Sequence, residues 1–466
     1  MRFYNRGIQL GKLFGTNGIR GRVGTELTPE FTVKVALAVG TYFNGGKLLV
    51  GCDGRTSSPA IKRAVISGLL ASGCDVADAG FIPTPALQYG VKKFKFDGGV
   101  MITASHNPPE FNGIKVIGED GIEISRERET EIEEIFFQGK FRRAVWNELG
   151  KIIETPNIIE EYINGIKRNV NYKRISSKEF KVLIDPGNGV STLTIPKLLD
   201  ELNCKINLIN DTIDGRFPGR GAEPTPKTLK EVAKTVKALK CDLGVSYDGD
   251  GDRAIFTDEL GVTHWGDKTG AIIEEYLLKK RRGIIVTPVS SSKLIEKIAE
   301  KYGGKVIWTR VGSVNVSHEL KRVKGLMGME ENGGIIYPKH QYVRDGGMAT
   351  ALILEILSEE NKTLSELIRE LPKYYNFKEK VKCPNNLKSK VMEKVMKEVG
   401  RGMERRIETI DGVKLWIDDD TWILIRASGT EPIIRIYSEA KEERKARRNV
   451  EEYKRKVREI IKQIGG

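Results

Sequence analysis

The sequence predicts a multidomain α/β fold, with three similar mixed α/β domains of mostly parallel sheets and a C-terminal α+β domain. Three segments, 47–107, 181–252 and 283–334, repeat an alternation of β-branched strands and helices, which is typical of α/β layers. The C-terminal part instead alternates like antiparallel strands between two helices. Because 466 residues exceed what one hydrophobic core usually spans, we expect four domains, at 1–152, 153–256, 257–371 and 372–466.

Within the first two segments, each predicted element follows from a local signal. A strand and a Gly/Asp turn lead into a helix, and a Gly-Cys or Asn-Cys break precedes the second strand. The Pro-Thr-Pro triplets at 83–85 and 224–226 should open the next helix, because the N–H that proline lacks is unpaired there anyway. Ligands in open α/β sheets bind beyond the carboxyl ends of strands. We therefore expect the chemistry in the loops TASHNP, DGDGDR and MEENGG.

The C-terminal part of the sequence predicts two helices and two strands, and its last helix is rich in charged residues of both signs. Residues 386–399 are predicted as a helix, 413–428 and 432–440 as strands, and EAKEERKARRNVEEYKRKVREIIKQ as an exposed helix with ion pairs four residues apart. The net charge is +14, but no basic run is interleaved with aromatic residues for stacking on bases. We expect a solvated basic surface and no nucleic-acid partner, with a cationic cleft for a phosphorylated substrate left open.

The cysteines and the hydropathy of the sequence indicate the cellular compartment of the protein. The five cysteines are scattered, in no metal-like spacing, which indicates reduced thiols. No apolar run is long enough to cross a bilayer, and the N-terminal residues lack the apolar core of a signal peptide. The sequence thus predicts a cytoplasmic protein without a membrane partner.

The loop DGDGDR offers a metal site. Asp248, Asp250 and Asp252 alternate with glycines, and three like charges so close repel one another unless a hard cation lies among them. An EF-hand is excluded, because Arg253 stands where glycine is needed and a strand precedes the loop. The threefold alternation at a strand end disfavours a plain surface turn. Mg²⁺ prefers few carboxylates together with phosphate oxygens, so the loop leaves room for a phosphorylated partner.

Two further loops are ambiguous when taken alone. RASGTEP, at 426–432, has the arginine, hydroxyls and glycine of a phosphate cradle, but it equally fits a hairpin turn with a surface arginine. MEENGG offers Glu330, Glu331 and Asn332 to sugar hydroxyls. By itself, a glycine-rich turn with solvated acids is the better interpretation of MEENGG.

The loop TASHNP places Ser105 beside His106, as a serine hydrolase would require. Adjacent residues of an extended loop point apart, so we expect His106 to be poorly placed to deprotonate Ser105. The chain has no G-x-S-x-G elbow and no Walker A loop. These observations disfavour a hydrolase and an ATP-dependent kinase of that class.

The four loops together resemble those of the α-D-phosphohexomutase family. They occur in the same order, one in each predicted domain, and the resemblance covers essentially the whole chain, including the opening FGTNGIRG. It implies that the domains surround a central cleft, that Ser105 is phosphorylated, and that hexose 6-phosphate and hexose 1-phosphate are interconverted through a 1,6-bisphosphate. It also implies a phosphosugar substrate, a hexose 1,6-bisphosphate activator, and one Mg²⁺ held by Ser105, Asp248, Asp250 and Asp252.

The resemblance assigns the remaining roles residue by residue. Lys115 and His106 match the family's candidate proton handlers, and Arg20 and Arg253 would steady the phosphoserine region. The C-terminal domain should open and close while the intermediate turns around. The implied substrate-binding residues are Glu330, Asn332, Arg426, Ser428, Gly429, Thr430 and Arg435.

The identity of the sugar rests on finer features of the sequence. Within the family, FGTNGIRG looks most like the phosphoglucosamine mutases. The sugar loop has Asn332 where many members have serine. The resemblance favours glucosamine phosphate, with mannose and glucose phosphates as alternatives. The oligomeric state is left open, with a homodimer as one option.

Overall fold

The computed structural model describes residues 13–15, 17–399, 406–429 and 431–465. The chain forms two compact units. The first runs to Thr269 and includes Asn332–Arg369, and the second comprises Gly270–Glu331 and the chain from Glu370 onward. In the described parts of the chain, no helix has the length and apolar character that a membrane span requires.

A six-stranded sheet opens the first unit. Its strands are β1 (Ile19–Arg22), β2 (Lys47–Cys52), β3 (Asp75–Phe81), β4 (Gly98–Ile102), β5 (Phe111–Gly118) and β6 (Ile152–Ile153). The order is β1-β5-β4-β2-β3-β6, with β2, β3, β4 and β6 parallel and the β5 pairings antiparallel. The accompanying helices are α1 (Pro29–Phe43), α2 (Ser58–Ala71), α3 (Thr84–Lys93) and α4 (Arg126–Gln138). Strand β4 is buried throughout and leads directly into the TASHNP loop.

A five-stranded sheet, also in the first unit, repeats this plan. Its helices are α5 (Ile158–Lys167), α6 (Tyr172–Ser176), α7 (Ile195–Glu201) and α8 (Lys230–Leu239). Its strands are β7 (Lys181–Asp185), β8 (Lys205–Leu208), β9 (Leu243–Tyr247), β10 (Ala254–Asp258) and β11 (Thr263–His264). In the order β11-β10-β9-β7-β8, β7 is parallel to β8 and β9. Buried strand β9 ends directly before the DGDGDR loop.

The two Pro-Thr-Pro triplets behave differently. Helix α3 begins at Thr84, with Pro85 in its first turn, as expected. The second expectation is wrong, because α8 begins only at Lys230. There Thr225 and Thr228 close a local turn. The Thr225 N–H donates to the Thr228 hydroxyl at 2.9 Å, and the Thr228 N–H donates to the Thr225 hydroxyl at 3.3 Å. Side-chain hydroxyls that bond nearby backbone groups compete with helix formation in this way.

The third alternating segment is shared between the two units. Its elements are α9 (Gly266–Lys280), β12 (Ile284–Pro288), α10 (Lys293–Lys301), β13 (Lys305–Thr309), α11 (Ser313–Arg322), β14 (Met327–Glu330), β15 (Gly334–Ile336), α12 (Gly346–Glu360) and α13 (Leu364–Glu370). In the second unit, β12 pairs in parallel with β13 and β14. The first unit holds the largely buried α12.

The C-terminal elements form an antiparallel sheet covered by two helices, as predicted. The strands are β16 (Tyr375–Lys382), β17 (Ile407–Glu408), β18 (Val413–Asp418), β19 (Thr421–Ala427) and β20 (Ile433–Ala440), in the order β16-β20-β19-β18-β17. The helices are α14 (Lys388–Val399) and α15 (Glu443–Gly465). Ion pairs four residues apart, such as Glu452–Lys456 at 2.7 Å, run along α15. The predicted fold class is confirmed.

Buried polar contacts tie the C-terminal sheet to β12 and α10 within the second unit. The carboxylate of Glu439 on β20 accepts the backbone N–H of Lys293 at the start of α10 at 2.7 Å and the indole N–H of Trp422 at 2.9 Å. Lys414 donates to the carbonyl of Val289 at 2.9 Å. The ring centroids of Trp308, Trp416 and Trp422 lie 4.3–5.0 Å from the Lys414 ammonium. Cation–π contacts of this kind stabilise a buried ammonium.

Candidate active site

Ser105 is held in an unusual backbone conformation three residues after β4. Its φ angle is +50°, a left-handed value that a non-glycine residue adopts only where the surroundings hold it. Its backbone N–H donates to the Thr103 hydroxyl at 2.8 Å. Its own hydroxyl, which is fully buried, donates to Asp248 Oδ2 at 2.6 Å. The serine of the first loop therefore touches the first carboxylate of the second loop.

The expectation that His106 points away from Ser105 is wrong. His106 Nδ1 lies 3.3 Å from Ser105 Oγ. The loop is not extended at Ser105, and its left-handed turn brings the two neighbouring side chains to the same side. Burial and the nearby charges of Arg253 and Arg20 hold the pKa of His106 well below its usual value. The imidazole is therefore neutral at neutral pH.

Asp248, Asp250 and Asp252 converge as the alternation with glycine predicts. All three are buried, and one carboxylate oxygen of each lies within 4.8 Å of the others. The glycines between them allow this loop to lie close to the serine loop and to Ser191. A Cβ on Gly249 would lie 2.7 Å from the carbonyl oxygen of Ser105, and one on Gly251 would lie 2.6 Å from Ser191 Oγ.

The electrostatics of this triad favour a cation. Burial, followed by the charges of Asp250 and Asp252, raises the pKa of Asp248 well above its usual value. Burial acts on Asp250 in the same direction, but Lys115 and the Thr84 hydroxyl together lower its pKa. Among the residues described, the buried Oδ1 atoms of Asp250 and Asp252 accept no hydrogen bond. Hard carboxylate oxygens that lack donors are suited to a hard divalent ion, so the triad fits a metal site.

Lys115 projects from β5 into the same cluster. Its Nζ lies 3.0 Å from Asp250 Oδ2 and 3.5 Å from oxygens of both Glu123 and Asp252. Burial alone would lower the pKa of Lys115, but these three carboxylates raise it above its usual value. The ammonium therefore stays charged in this arrangement.

Three arginines surround the serine loop and the triad. Arg20, on β1, donates to the Ala104 carbonyl at 3.2 Å and to Asn107 Oδ1 at 2.6 Å. Arg253 Nε lies 3.9 Å from Asp248 Oδ2. Arg344, which sequence reasoning missed, pairs directly with Asp252. The first unit thus brings all the predicted catalytic and metal residues together.

The MEENGG loop does not consist of solvated acids, so that interpretation is wrong. Glu330 and Glu331 are only 3% and 8% exposed. Glu331 accepts from the Ser290 hydroxyl at 2.9 Å and lies 3.4 Å from Lys378 Nζ. Burial opposes ionisation, but Lys378 and Ser290 lower the pKa of Glu331. Asn332, in the first unit, accepts the Gly334 N–H at 3.2 Å and closes the turn.

The RASGTEP loop concentrates positive charge at the end of β19. Arg426 is directly opposite Arg435 in the β19–β20 pairing. Arg426 Nε donates to Asp411 at 3.0 Å, and Arg435 pairs with Glu431. Buried Ser428 accepts the Glu431 N–H at 3.2 Å. Gly429 is exposed, and Thr430 lies outside the described residues.

Sequence reasoning missed several residues that contact these sites. A weak signal existed for Thr84, inside Pro-Thr-Pro, and for Arg344, inside the polar run before α12. The others carry no local signal, because their partners are distant in the chain. The missed residues are Arg55, Thr84, Glu123, Arg344, Lys388 and Asp411.

The alternating α/β segments and a buried serine hydroxyl on a carboxylate triad are typical of a phosphoryl-transfer enzyme. Profiles of the phosphoglucomutase/phosphomannomutase family match four stretches of the chain. These are alpha/beta/alpha domain I at 11–143, domain II at 160–261, domain III at 265–375 and the C-terminal domain at 379–456.

Relatives of known name match over nearly their whole length. The phosphoglucosamine/phosphogalactosamine mutase of Sulfurisphaera tokodaii is 48% identical over 453 residues, which cover 96% of this chain and 99% of the relative. The phosphoglucomutase/phosphomannomutase of Thermococcus kodakarensis is 47% identical over 448 residues, covering 95% and 97%. In fold, a phosphoglucomutase/phosphomannomutase family protein from Burkholderia thailandensis superposes with a TM-score of 0.85 at 24% identity, covering 96% of this chain and 97% of the other.

The chain belongs to the phosphoglucomutase/phosphomannomutase family, the α-D-phosphohexomutases. The resemblance found in the four loops is confirmed, and with it the enzyme class, a phosphohexomutase.

Proposed function

We propose that this chain interconverts glucosamine 6-phosphate and glucosamine 1-phosphate through a phosphorylated Ser105 and a hexose 1,6-bisphosphate. The observation that carries the proposal is the 2.6 Å contact between the Ser105 hydroxyl and Asp248 inside the buried triad. It supports the proposal because a phosphorylatable oxygen lies beside carboxylates that would hold a cation and near several positive side chains. The S. tokodaii relative is named for amino sugars, which favours glucosamine over mannose and glucose phosphates.

Each transfer moves one phosphoryl group between two oxygens. The bond from Ser105 Oγ to phosphorus breaks as a bond forms from a free sugar hydroxyl to the same phosphorus. The hydroxyl proton leaves the sugar, and Ser105 Oγ, which stays on the serine, takes up one proton and becomes a hydroxyl again. In the second transfer the bisphosphate returns its other phosphate to Ser105, so the net reaction exchanges position 6 for position 1.

Three side chains are placed to handle protons and charge in these steps. When Ser105 takes back a phosphoryl group, its proton must leave, and the acceptors within reach are Asp248 Oδ2 at 2.6 Å and His106 Nδ1 at 3.3 Å. Neutral His106 can accept a proton, whereas Asp248 would be engaged with the metal. Lys115, which stays charged, stabilises negative charge on the transferring group.

The three aspartates would hold one Mg²⁺ together with an oxygen of the Ser105 phosphate. When bound, the ion neutralises phosphate charge and orients the group in transfer. Two carboxylate oxygens that accept no hydrogen bond from the described residues, and the few carboxylates in the set, support Mg²⁺, which retains water or phosphate oxygens among its ligands. Arg20 and Arg253 would hold the serine loop and its phosphate.

Substrate binding is assigned to the remaining loops. Arg426, Arg435 and the 428–430 loop would hold the phosphate that stays on the sugar, and Glu330 and Asn332 would bind sugar hydroxyls. The buried ties of Lys414 and Glu439 join the C-terminal sheet to β12 and α10. The C-terminal domain would open and close while the intermediate turns around, and these ties would carry the β12–α10 segment with it.

Phosphorus NMR tests the proposal. Purified protein with Mg²⁺ and a trace of glucose 1,6-bisphosphate is mixed with glucosamine, mannose or glucose 6-phosphate in separate tubes. We expect the 1-phosphate signal to grow fastest with glucosamine 6-phosphate. Faster growth with mannose or glucose 6-phosphate would reassign the sugar, and no growth in any tube would refute the proposed reaction for these hexoses.

A pair of serine variants ties the reaction to Ser105. Ser105→Ala should lose at least about 1,000-fold in turnover, because it removes the phosphoryl carrier. The control, Ser177→Ala, removes an exposed hydroxyl that donates to the Arg174 carbonyl at 2.8 Å, and it should leave turnover unchanged. An active Ser105→Ala enzyme would contradict the phosphoserine mechanism.

A further inference from the structure

A buried ion pair lies beneath the serine loop, outside the residues assigned so far. Asp53 and Arg55 stand in the turn after β2, in the sequence CDGRTSS, and both are fully buried. Arg55 Nε donates to Asp53 Oδ2 at 3.0 Å. A buried pair of this kind is weak evidence for stability, since desolvation offsets its attraction. Its contacts indicate another purpose.

All five N–H donors of the Arg55 guanidinium are used, and four of them hold the serine loop. The acceptors are the backbone carbonyls of Ser105 at 2.8 Å, Asn107 at 2.6 Å, Pro108 at 2.7 Å and Phe111 at 2.9 Å. The fifth donor is the Nε–H that bonds Asp53. A planar guanidinium can reach four separate carbonyls, whereas the ammonium of lysine has three donors at a single point.

Asp53 completes a closed ring of hydrogen bonds around Ser105. Its Oδ2 also accepts from the Thr103 hydroxyl at 2.6 Å, and Thr103 Oγ1 in turn accepts the backbone N–H of Ser105 at 2.8 Å. The N–H of Ser105 is therefore held through Thr103 and Asp53, and its carbonyl is held by Arg55. These bonds fix both sides of the residue whose φ is +50°.

The surroundings prevent the guanidinium from turning away. The ring of Phe217 lies 5.0 Å from Arg55 Cζ. Gly215 packs so closely on this turn that a Cβ there would lie 2.1 Å from Thr56 N. Arg55 is thus locked between the serine loop and the 215–217 segment.

We propose that Arg55 is a positioning residue, which holds the serine loop in the left-handed conformation that presents Ser105 Oγ to the metal triad. This inference rests on the proposed role of Ser105 as phosphoryl carrier. Arg55 touches the loop backbone and neither substrate nor the reacting oxygen. Its loss should therefore displace the carrier while leaving the sugar- and phosphate-binding groups in place.

The test is Arg55→Lys, compared with Arg142→Lys, which changes a half-buried arginine that bonds Asn44 in the same unit. Displacement of a reacting atom by about 1 Å costs on the order of 100-fold in rate. We expect kcat of Arg55→Lys to fall by that order and KM to stay within about threefold. A variant with a lowered melting temperature but with kcat of the folded protein unchanged would show a merely structural role and overturn the inference.

Hydrogen–deuterium exchange separates this inference from the proposed function. Peptides that cover residues 103–112 should exchange faster in Arg55→Lys than in the wild type and in Arg142→Lys, whether or not the wild type shows mutase turnover. Unchanged exchange in these peptides would overturn the positioning role. A wild type without turnover would instead refute the proposed function alone.

A milder variant covers the case in which Arg55→Lys does not fold. Thr103→Val removes the hydroxyl between Asp53 and Ser105 and keeps the side-chain shape, and it should also lower kcat with little change in KM. Its control is Thr257→Val, which removes a buried hydroxyl that bonds the Thr263 hydroxyl at 2.9 Å. Equal kcat values for the two threonine variants would contradict the ring of contacts around Ser105.

Discussion

Arg426 and Arg435 are directly paired residues on adjacent strands of the C-terminal sheet. Residues opposite one another in an antiparallel pair share a face of the sheet, and like charges there repel. Asp411 and Glu431 each pair with one of the two. The register thus concentrates two guanidinium groups beside Ser428, where a phosphate would relieve their repulsion.

Replacement of one of these arginines should weaken substrate binding. We expect Arg426→Met to raise KM for the hexose 6-phosphate by about 10- to 100-fold, because a charge-assisted hydrogen bond is lost. Steady-state kinetics over a range of substrate concentrations measures the change. Arg447→Met, at an exposed position of α15, removes a positive charge paired with Glu443 and should leave KM unchanged. Equal KM values for both variants would disprove the phosphate site.

Loss of one aspartate should abolish tight metal binding. Asp250→Asn removes a buried carboxylate charge from the triad, and calorimetric titration with Mg²⁺ should show an affinity at least about 100-fold lower. Asp242→Asn is the control, since the Asp242 carboxylate accepts the backbone N–H of Lys181 at 2.7 Å, at the start of β7. EDTA should stop turnover of the wild type, and added Mg²⁺ should restore it. Full affinity in Asp250→Asn would place the metal elsewhere.

A methyl group on Gly249 should separate the serine loop from the metal loop. The added Cβ would lie 2.7 Å from the Ser105 carbonyl oxygen, so backbone must move. We expect Gly249→Ala to lower kcat by about tenfold or more. In Gly118→Ala the nearest atom is Arg128 Nη1 at 2.8 Å, the end of a flexible side chain, and kcat should be kept. Steady-state kcat values of the two variants test whether turnover depends on the close approach of the DGDGDR loop to the serine loop.

Glu274, on α9, should make stability depend on pH. Its carboxylate is fully buried and, within the described ranges, accepts no hydrogen bond. Burial, and then Glu275, raises the pKa of Glu274 well above 4.5. The folded protein thus binds this proton more tightly than the unfolded chain, so its contribution to stability is full below about pH 4.5 and is lost as the pH rises. Glu274→Gln should raise the free energy of unfolding at pH 8 by about 1–3 kcal/mol.

The neighbouring Glu275 provides a control of opposite sign. Burial opposes its ionisation, but the Tyr302 hydroxyl and Lys301 lower its pKa. Its contribution to stability is present above its usual pKa and is lost as the pH falls, so Glu275→Gln should destabilise the protein at pH 8. Urea unfolding at pH 5 and pH 8 measures both variants. Parallel pH profiles for the wild type and Glu274→Gln would refute the titration of Glu274.

The repeated strand–helix pattern made the loops predictable. Strand periodicity located the ends of β4, β9 and β14, each in its own sheet, and ligands of open α/β sheets bind beyond such carboxyl ends. The convergence of the three aspartates followed from their alternation with glycine. These features depend on residues close together in the chain, which is why sequence alone revealed them.

What sequence could not predict depends on distant contacts or on single backbone angles. The left-handed φ of Ser105 brings His106 Nδ1 to 3.3 Å from Oγ, against the expectation for an extended loop. Arg344 reaches Asp252 from 92 residues away, and the polar run that contains Arg344 does not indicate which residue it contacts. The turn closed by Thr225 and Thr228 moves the start of α8 to Lys230, beyond the position that Pro-Thr-Pro predicts.

The carboxylate of Glu439 covers the start of α10, 146 residues earlier in the chain. During synthesis on the ribosome, α10 is complete long before β20 is made, and its first N–H group lacks this acceptor until then. The β12–α10 segment therefore reaches its final state only after translation of nearly the whole chain. Release of a truncated chain without β20 would leave that helix end and the indole N–H of Trp422, which share the Glu439 carboxylate, without this acceptor and open to other unfinished chains.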